Sequence, residues 1–236
     1  MCFPSGVVRM VGFLVAVAVF GVTGWARASG ILYQFNAPFP SDPDPASSAP
    51  WVDAYFLNVN PGTVLLTVTN VDLTSGEFIQ GSGNGANGGL FFNLNPDDNP
   101  TKLVFTLVSS NGSFGPIIST GEDEFNADGH GKYDVQFDFS THAFSAKSSL
   151  TYQITGIAGL TAADFACLSA PAGGSGPFYA AAHVQGLSCN LGGTWIEPCG
   201  GPQQLLPVPE PAPIAPLVVS LGLWAARRWR SPRAKN

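Results

Sequence analysis

Basic residues are almost missing from the middle of this 236-residue chain. Only three of its ten Lys and Arg, Lys102, Lys132 and Lys147, lie between Arg27 and Arg227, and fifteen of the sixteen acids stand against them, a formal charge of −12 over the body. Such a body cannot neutralise a phosphate backbone, which argues against nucleic acid as a partner. Charge of either sign is scarce, at 11% of residues, too little for a helical bundle or coiled coil. No amphipathic helical stretch of ordinary length is found, apart from a turn at Thr161-Ala162-Ala163-Asp164-Phe165, where Thr161 can cap and Asp164 replaces the Glu of a capping box. Histidine is limited to His130, His142 and His183, and no Gly-x-Ser-x-Gly elbow is present: Gly173-Gly174-Ser175-Gly176-Pro177 ends in proline. No Cys-x-x-Cys pair is present either, which argues against a zinc site.

What the chain has in plenty is turn formers and strand formers. Gly 28 and Pro 20 punctuate short apolar runs, the composition of an all-β body. In 132–139 aromatic and β-branched residues alternate with polar ones, predicting a strand with one wet face. Segment 149–155 repeats the alternation, and 31–35, 51–59, 64–71, 90–94 and 102–108 are strand-length runs bounded by Gly, Pro, Asn or Asp. His183 falls on a further strand. Eight or nine strands at this spacing predict an antiparallel β-sandwich, jelly-roll-like, over residues 29–198, with an up-and-down barrel as the alternative. The proline-rich stretch 38–50 and the Gly, Ser and Asn tract 81–89 predict surface loops, and Asp97 and Asp98 read as turn formers. Residues 199–207, rich in Gly, Pro and Gln, read as a tether.

The two ends are of another kind. Arg9 precedes an unbroken apolar run over 10–22, and Ala26-Arg27-Ala28 follows. A core of that length is that of a secretory signal peptide spanning 1–28, short of the roughly 20 residues a membrane helix needs. The small residues Ala26 and Ala28 place signal-peptidase cleavage after Ala28, once the translocon has engaged the segment. At the other end, in 208–236, Pro209-Glu210-Pro211 is followed by a nearly uninterrupted apolar segment, 212–226, and then by Arg227, Arg228 and Arg230. As a helix the segment spans roughly 22 Å against a hydrocarbon core of roughly 30 Å, so Trp224, Trp229 and snorkelling arginines must supply the remainder. The arginines act as a stop-transfer cluster, keeping the tail cytoplasmic and the body on the outer side of the inner membrane.

Motif, apolar segment and basic cluster, in that order at the C-terminal end, resemble the PEP-CTERM sorting signal of exported bacterial proteins. The resemblance covers about the last 30 residues. It implies recognition by exosortase, a membrane-embedded transpeptidase-like cysteine enzyme, and a destination at the cell surface or in the extracellular matrix, associated with extracellular polysaccharide and biofilm. Pro213 and Pro216 depart from the family's smoother apolar run. The segments 125–129, 160–165, 181–186 and 194–196 are also similar to ectodomain stretches of exported PEP-CTERM proteins, without adding an activity.

The body offers few residues for chemistry. Cys167, Cys189 and Cys199 remain after signal removal, in a compartment that permits disulfides. Closing the loop from Cys189 to Cys199 stabilises by roughly 2.5–3 kcal/mol, and that pair is favoured over Cys167 with Cys189. Glu124, Asn126 and Asp128 stand at alternate positions before Gly129, the spacing that opens a calcium loop. The closing ligand is missing, since Val135 occupies position twelve, so an acidic hairpin turn is the favoured reading and no cofactor is required. The resulting expectation is a structural, non-enzymatic surface protein. The alternatives are a carbohydrate-binding module gripping polysaccharide through exposed Trp51 or Trp195, with or without calcium, and a hydrolase using His183 or His142.

Overall fold

The structure is a computed structural model that describes residues 29–81, 88–111, 115–188 and 192–205. The signal peptide, its cleavage residues Ala26 and Ala28, Cys189, and the whole of 208–236 with Pro209, Glu210, Pro211, Arg227, Arg228 and Arg230 lie outside the described residues. All strand pairings are antiparallel, and they form two sheets. With strands numbered along the chain, the first sheet runs β14 (Gln203–Leu205), β1 (Gly30–Phe35), β3 (Val52–Asn60), β4 (Thr63–Asn70), β11 (Ser149–Thr155), β7 (Val104–Ser110). The second runs β10 (Phe144–Ser145), β5 (Phe78–Ile79), β12 (Ala180–Gln185), β6 (Leu90–Phe92), β9 (Lys132–Asp138), β8 (Ile117–Asn126), with β13 (Gly193–Glu197) pairing both β12 and β2 (Ala37–Pro38). Two separate sheets replace the single closed barrel of the alternative expectation. Among the described residues no helix is long and apolar enough to cross a membrane.

Alternation builds the main core. Ile31, Tyr33 and Phe35 of β1, Phe56 of β3 and Val64, Leu66 and Val68 of β4 point inward from the first sheet. They meet Leu90, Phe92, Val135, Phe137, Ala180, Ala182 and Val184 of the second. Phe92 bridges the layers, with ring centroids 5.1 Å from Phe56, 6.2 Å from Tyr33 and 6.0 Å from Phe137. The expected helical turn is a short 3-10 segment, Ala162–Phe165, whose entry is held by the Asp164 carboxylate accepting from the Thr161 N–H at 2.7 Å and its hydroxyl at 2.9 Å. It delivers Phe165 onto Phe56, 4.5 Å centroid to centroid.

Two expectations need correction. The first is the wet face of 132–139: in β9 Asp134, Gln136 and Asp138 are buried along with Val135 and Phe137. The second sheet carries a further aromatic layer of Phe39, Phe91, Phe125, Tyr133 and Trp195, packed by Phe178. Strands supply most of that layer, Phe91 from β6, Phe125 from β8, Tyr133 from β9 and Trp195 from β13, and loops add Phe39 and Phe178, so the outer side of the second sheet is roofed rather than hydrated. The second is the tether: Gln203–Leu205 pairs with Gly30–Leu32 as β14, and the Cys199 N–H donates to Asn36 Oδ1 at 2.9 Å. The folded body therefore extends through Leu205, because β1 offers an open edge that even a Gln-Gln-Leu segment satisfies with backbone bonds.

The proline-rich loop is clamped rather than free. Ala46 N–H donates to Glu77 Oε1 at 2.7 Å, Thr194 Oγ1 to the Pro43 carbonyl at 2.6 Å, and Trp195 N–H to Asp42 Oδ2 at 2.9 Å.

Candidate functional site

The acid-rich segment singled out in the sequence forms the end of a long hairpin. In β8 the register against β9 shifts between Thr120 and Phe125, leaving 121–124 as a bulge. Beyond it the chain turns through Asp128 (φ 49°) and Gly129 (φ 79°), with His130 N–H donating to the Ala127 carbonyl at 2.9 Å. Two successive left-handed residues are what a tight two-residue hairpin turn demands. Asn126 Oδ1 accepts the Gly129 N–H at 2.7 Å, so this oxygen is engaged in the turn. Glu124 sits in the bulge, its carboxylate against Gly121. Among the described residues no three His, Cys, Asp or Glu side chains are grouped to hold a metal ion together.

The bulge forms one wall of a cleft of about 180 Å³. Glu122, Asp123 and Asp134 face Asp98 and Pro96 of the 95–100 turn, and Cys167 and Leu168 close the third side. The turn is shaped as Asp and Asn predict: Asp98 N–H donates to the Asn95 carbonyl at 2.8 Å, and Thr101 N–H to Asn99 Oδ1 at 2.9 Å. Asp134 joins the walls, since its carboxylate accepts from Leu94 N–H at 2.8 Å and Asp123 N–H at 2.9 Å. Burial pushes its acidity down, the carboxyl pKa standing above the ordinary value despite the two donors that pull it back. Burial, with the nearby charges of Asp164 and Asp134, likewise raises the Cys167 thiol. A thiol held protonated is a poor nucleophile and a poor metal ligand. The cleft thus gathers carboxylates beside a thiol that burial holds protonated.

The histidines are occupied elsewhere. His183 stacks on Trp195 at 4.7 Å and 19°, with its Nε2 2.8 Å from Gln185 Nε2, and burial lowers its pKa so that it favours the neutral ring. His130 Nδ1 accepts the Ser175 N–H at 2.8 Å, and its ring lies 5.1 Å from Phe39. His142 packs on Phe78. The Gly-rich stretch expected to come nearest a nucleophile elbow instead packs on His130: a Cβ on Gly176 would lie 1.7 Å from the His130 carbonyl oxygen. The tryptophans that the carbohydrate-binding alternative needs at the surface are in the interior, Trp51 at 3% exposure and Trp195 at 6%, so neither ring face is available to stack on a sugar. Cys167 is half-buried and Cys199 exposed, both as free thiols, and the pairing expected for Cys199 involves Cys189, outside the described residues.

Sequence reasoning missed Glu197, the last residue of β13, which lies beside β2 through the Glu197–Ala37 pair. Burial alone pushes its carboxyl up to about 7. A carboxyl raised in the folded state is stabilising in its protonated form, fully below the ordinary value of 4.5, and that contribution is lost as pH rises through about 7. Discounted for partial exposure, the change is about 1–2 kcal/mol. Glu197→Gln is expected to flatten it: urea midpoints at pH 5 and pH 8 should differ less in the variant than in the native protein, and an unchanged difference would remove Glu197 as the cause.

Comparison with protein-family models, with curated proteins and with solved structures finds no match to the chain.

Proposed function

We propose that the chain is an exported bacterial protein of the cell surface or extracellular matrix, sorted through a PEP-CTERM signal and processed by exosortase. In this reading the translocon exports it, signal peptidase cuts after Ala28, and segment 212–226 holds the precursor in the inner membrane. Exosortase then acts at Pro209-Glu210-Pro211, while Arg227, Arg228 and Arg230 stop transfer. The body is a jelly-roll-like β-sandwich with a structural, non-enzymatic role linked to extracellular polysaccharide.

The observation that carries the reading is the order of motif, apolar segment and arginine cluster in 209–230. The geometry of the body supports it. Gly30 pairs with Leu205, so the first residues after the signal peptide and the last residues before the sorting motif leave from one edge of one sheet. Three residues then separate Leu205 from Pro209, four residue steps with a reach of at most about 14 Å. A body held so close to its motif is suited to a protein that docks at a bilayer enzyme through its tail.

Replacing Pro209, Glu210 and Pro211 together by alanine is expected to leave the full-length precursor uncut in the membrane fraction of a host with exosortase, while the native protein is shortened and released. The readout is immunoblotting of membrane and medium with an antibody to the folded body, which sees both forms, beside one to the tail, which sees only the uncut precursor. Equal release of the two proteins would remove the sorting assignment.

A further inference from the structure

We propose that β7 is a pairing edge for a second copy of this chain, the two β7 strands adding antiparallel about a two-fold axis to join two first sheets. Among the described residues β7 is the outermost strand of its sheet and pairs on one side only, with β11. Its sequence, Val-Phe-Thr-Leu-Val-Ser-Ser, holds no charge, proline or glycine. Those are the residues by which exposed edges ordinarily discourage pairing. Three of its four apolar side chains are in solvent, Val104 at 52% exposure, Leu107 at 48% and Val108 at 56%, half of the large hydrophobics left exposed among the described residues, while Phe105 packs inward on Phe137 and Tyr152.

One protective feature is present. The register against β11 shifts between Thr151 and Tyr152, so Val108 has no direct partner there and the strand bends. The regular ladder is therefore confined to Val104–Leu107, which sets a short interface and a weak, concentration-dependent dimer rather than an obligate one.

The occupant follows from where the rest of the chain goes. Residues 1–28 join at β1 and residues 206–236 leave from β14, both on the opposite edge of the sheet. Five strand spacings, roughly 24 Å, separate that edge from β7. The strand also complements itself. Centred on Thr106, antiparallel pairing sets Thr106 against its copy and Phe105 against Leu107, with Val104 near Val108 at the rim. Threonine pairs and aromatic–aliphatic pairs are favourable cross-strand neighbours. An isologous contact of this kind closes as a dimer and leaves no further edge of β7 to extend.

The test uses the full-length chain in detergent. Thr106→Cys places two thiols at the dyad, where opposed Cα atoms about 4.5–5.5 Å apart suit a disulfide. Under mild oxidation it is expected to give a covalent dimer at twice the chain mass, about tenfold above the native chain and above Gln203→Cys on the opposite edge. Leu107→Lys, at an exposed position, is expected to retain the native unfolding midpoint and to weaken self-association in sedimentation by about tenfold. The proposal is overturned if Thr106→Cys cross-links no more than Gln203→Cys, if Leu107→Lys leaves the dimer fraction unchanged, or if the native chain stays monomeric at concentrations where β7 binds an unrelated strand.

Discussion

Phe92→Ala is expected to cost about 3–5 kcal/mol of stability, the largest effect of any single truncation argued for this body. The ring is fully buried and touches Tyr33 and Phe56 of one sheet and Phe137 of the other. Alanine removes the transfer energy of the ring and leaves a cavity between layers whose backbones are fixed by antiparallel ladders, so collapse around it is limited. Against a typical total of about 5–15 kcal/mol, that is a third or more of what holds the fold. Urea unfolding should show a lowered midpoint with an unchanged slope. Leu107→Ala, on the exposed edge strand, should fall within about 0.5 kcal/mol of native. A comparable loss at both positions would mean that the two sheets do not share the core described.

That contrast was partly legible in the sequence. Strand-length runs at 31–35, 51–59, 64–71 and 149–155 locate β1, β3, β4 and β11 to within a residue or so, because alternation and flanking turn formers act locally. What could not be read is where loops come to rest. Alternation in 132–139 implies a hydrated face, and nothing near those residues says that Phe39, Phe178 and Trp195, 40 to 100 positions away, will cover the second sheet. β2, β5, β10 and β14, of two or three residues each, carry too few positions for a period to show, and their pairing is decided by the edge they meet. β8 was hidden for a different reason: its bulge at 121–124 breaks the alternation where the acids crowd, so the stretch reads as a charged loop.

The candidate site shows the same division. Asn95, Asn99 and Asn126 shape turns through side-chain hydrogen bonds that span two or three residues, a local chemistry that asparagine in a sequence announces. Asp134 could not be assigned a role from its neighbours, because its partners are 11 and 40 residues away. Glu197 was invisible for the same reason: its environment is created by β2, from the other end of the chain. The sorting features are legible in sequence because they consist of contiguous segments whose composition alone sets their affinity for the bilayer.

Asp134→Ala is expected to cost about 1–3 kcal/mol, chiefly by leaving the buried Leu94 N–H and the partly buried Asp123 N–H without their acceptor. Leu94 N–H lies at the start of the 95–100 turn and Asp123 N–H in the bulge, and the carboxylate is what ties these two walls of the cleft to β9. Asp123 is itself held at φ 50°, a left-handed conformation that costs a non-glycine residue about 1–2 kcal/mol and persists only while something restrains it. Relief of the buried carboxyl offsets part of the loss, which is why the figure stays below the sum of two fully orphaned donors. The consequence should be local before it is global: amide exchange at Leu94 and Asp123 should accelerate toward that of open loops, while amides of β3 and β4, in the other sheet, slow or quicken only in proportion to overall stability. Unchanged protection at Leu94 and Asp123 in the variant would show that the cleft is held by something other than the Asp134 carboxylate.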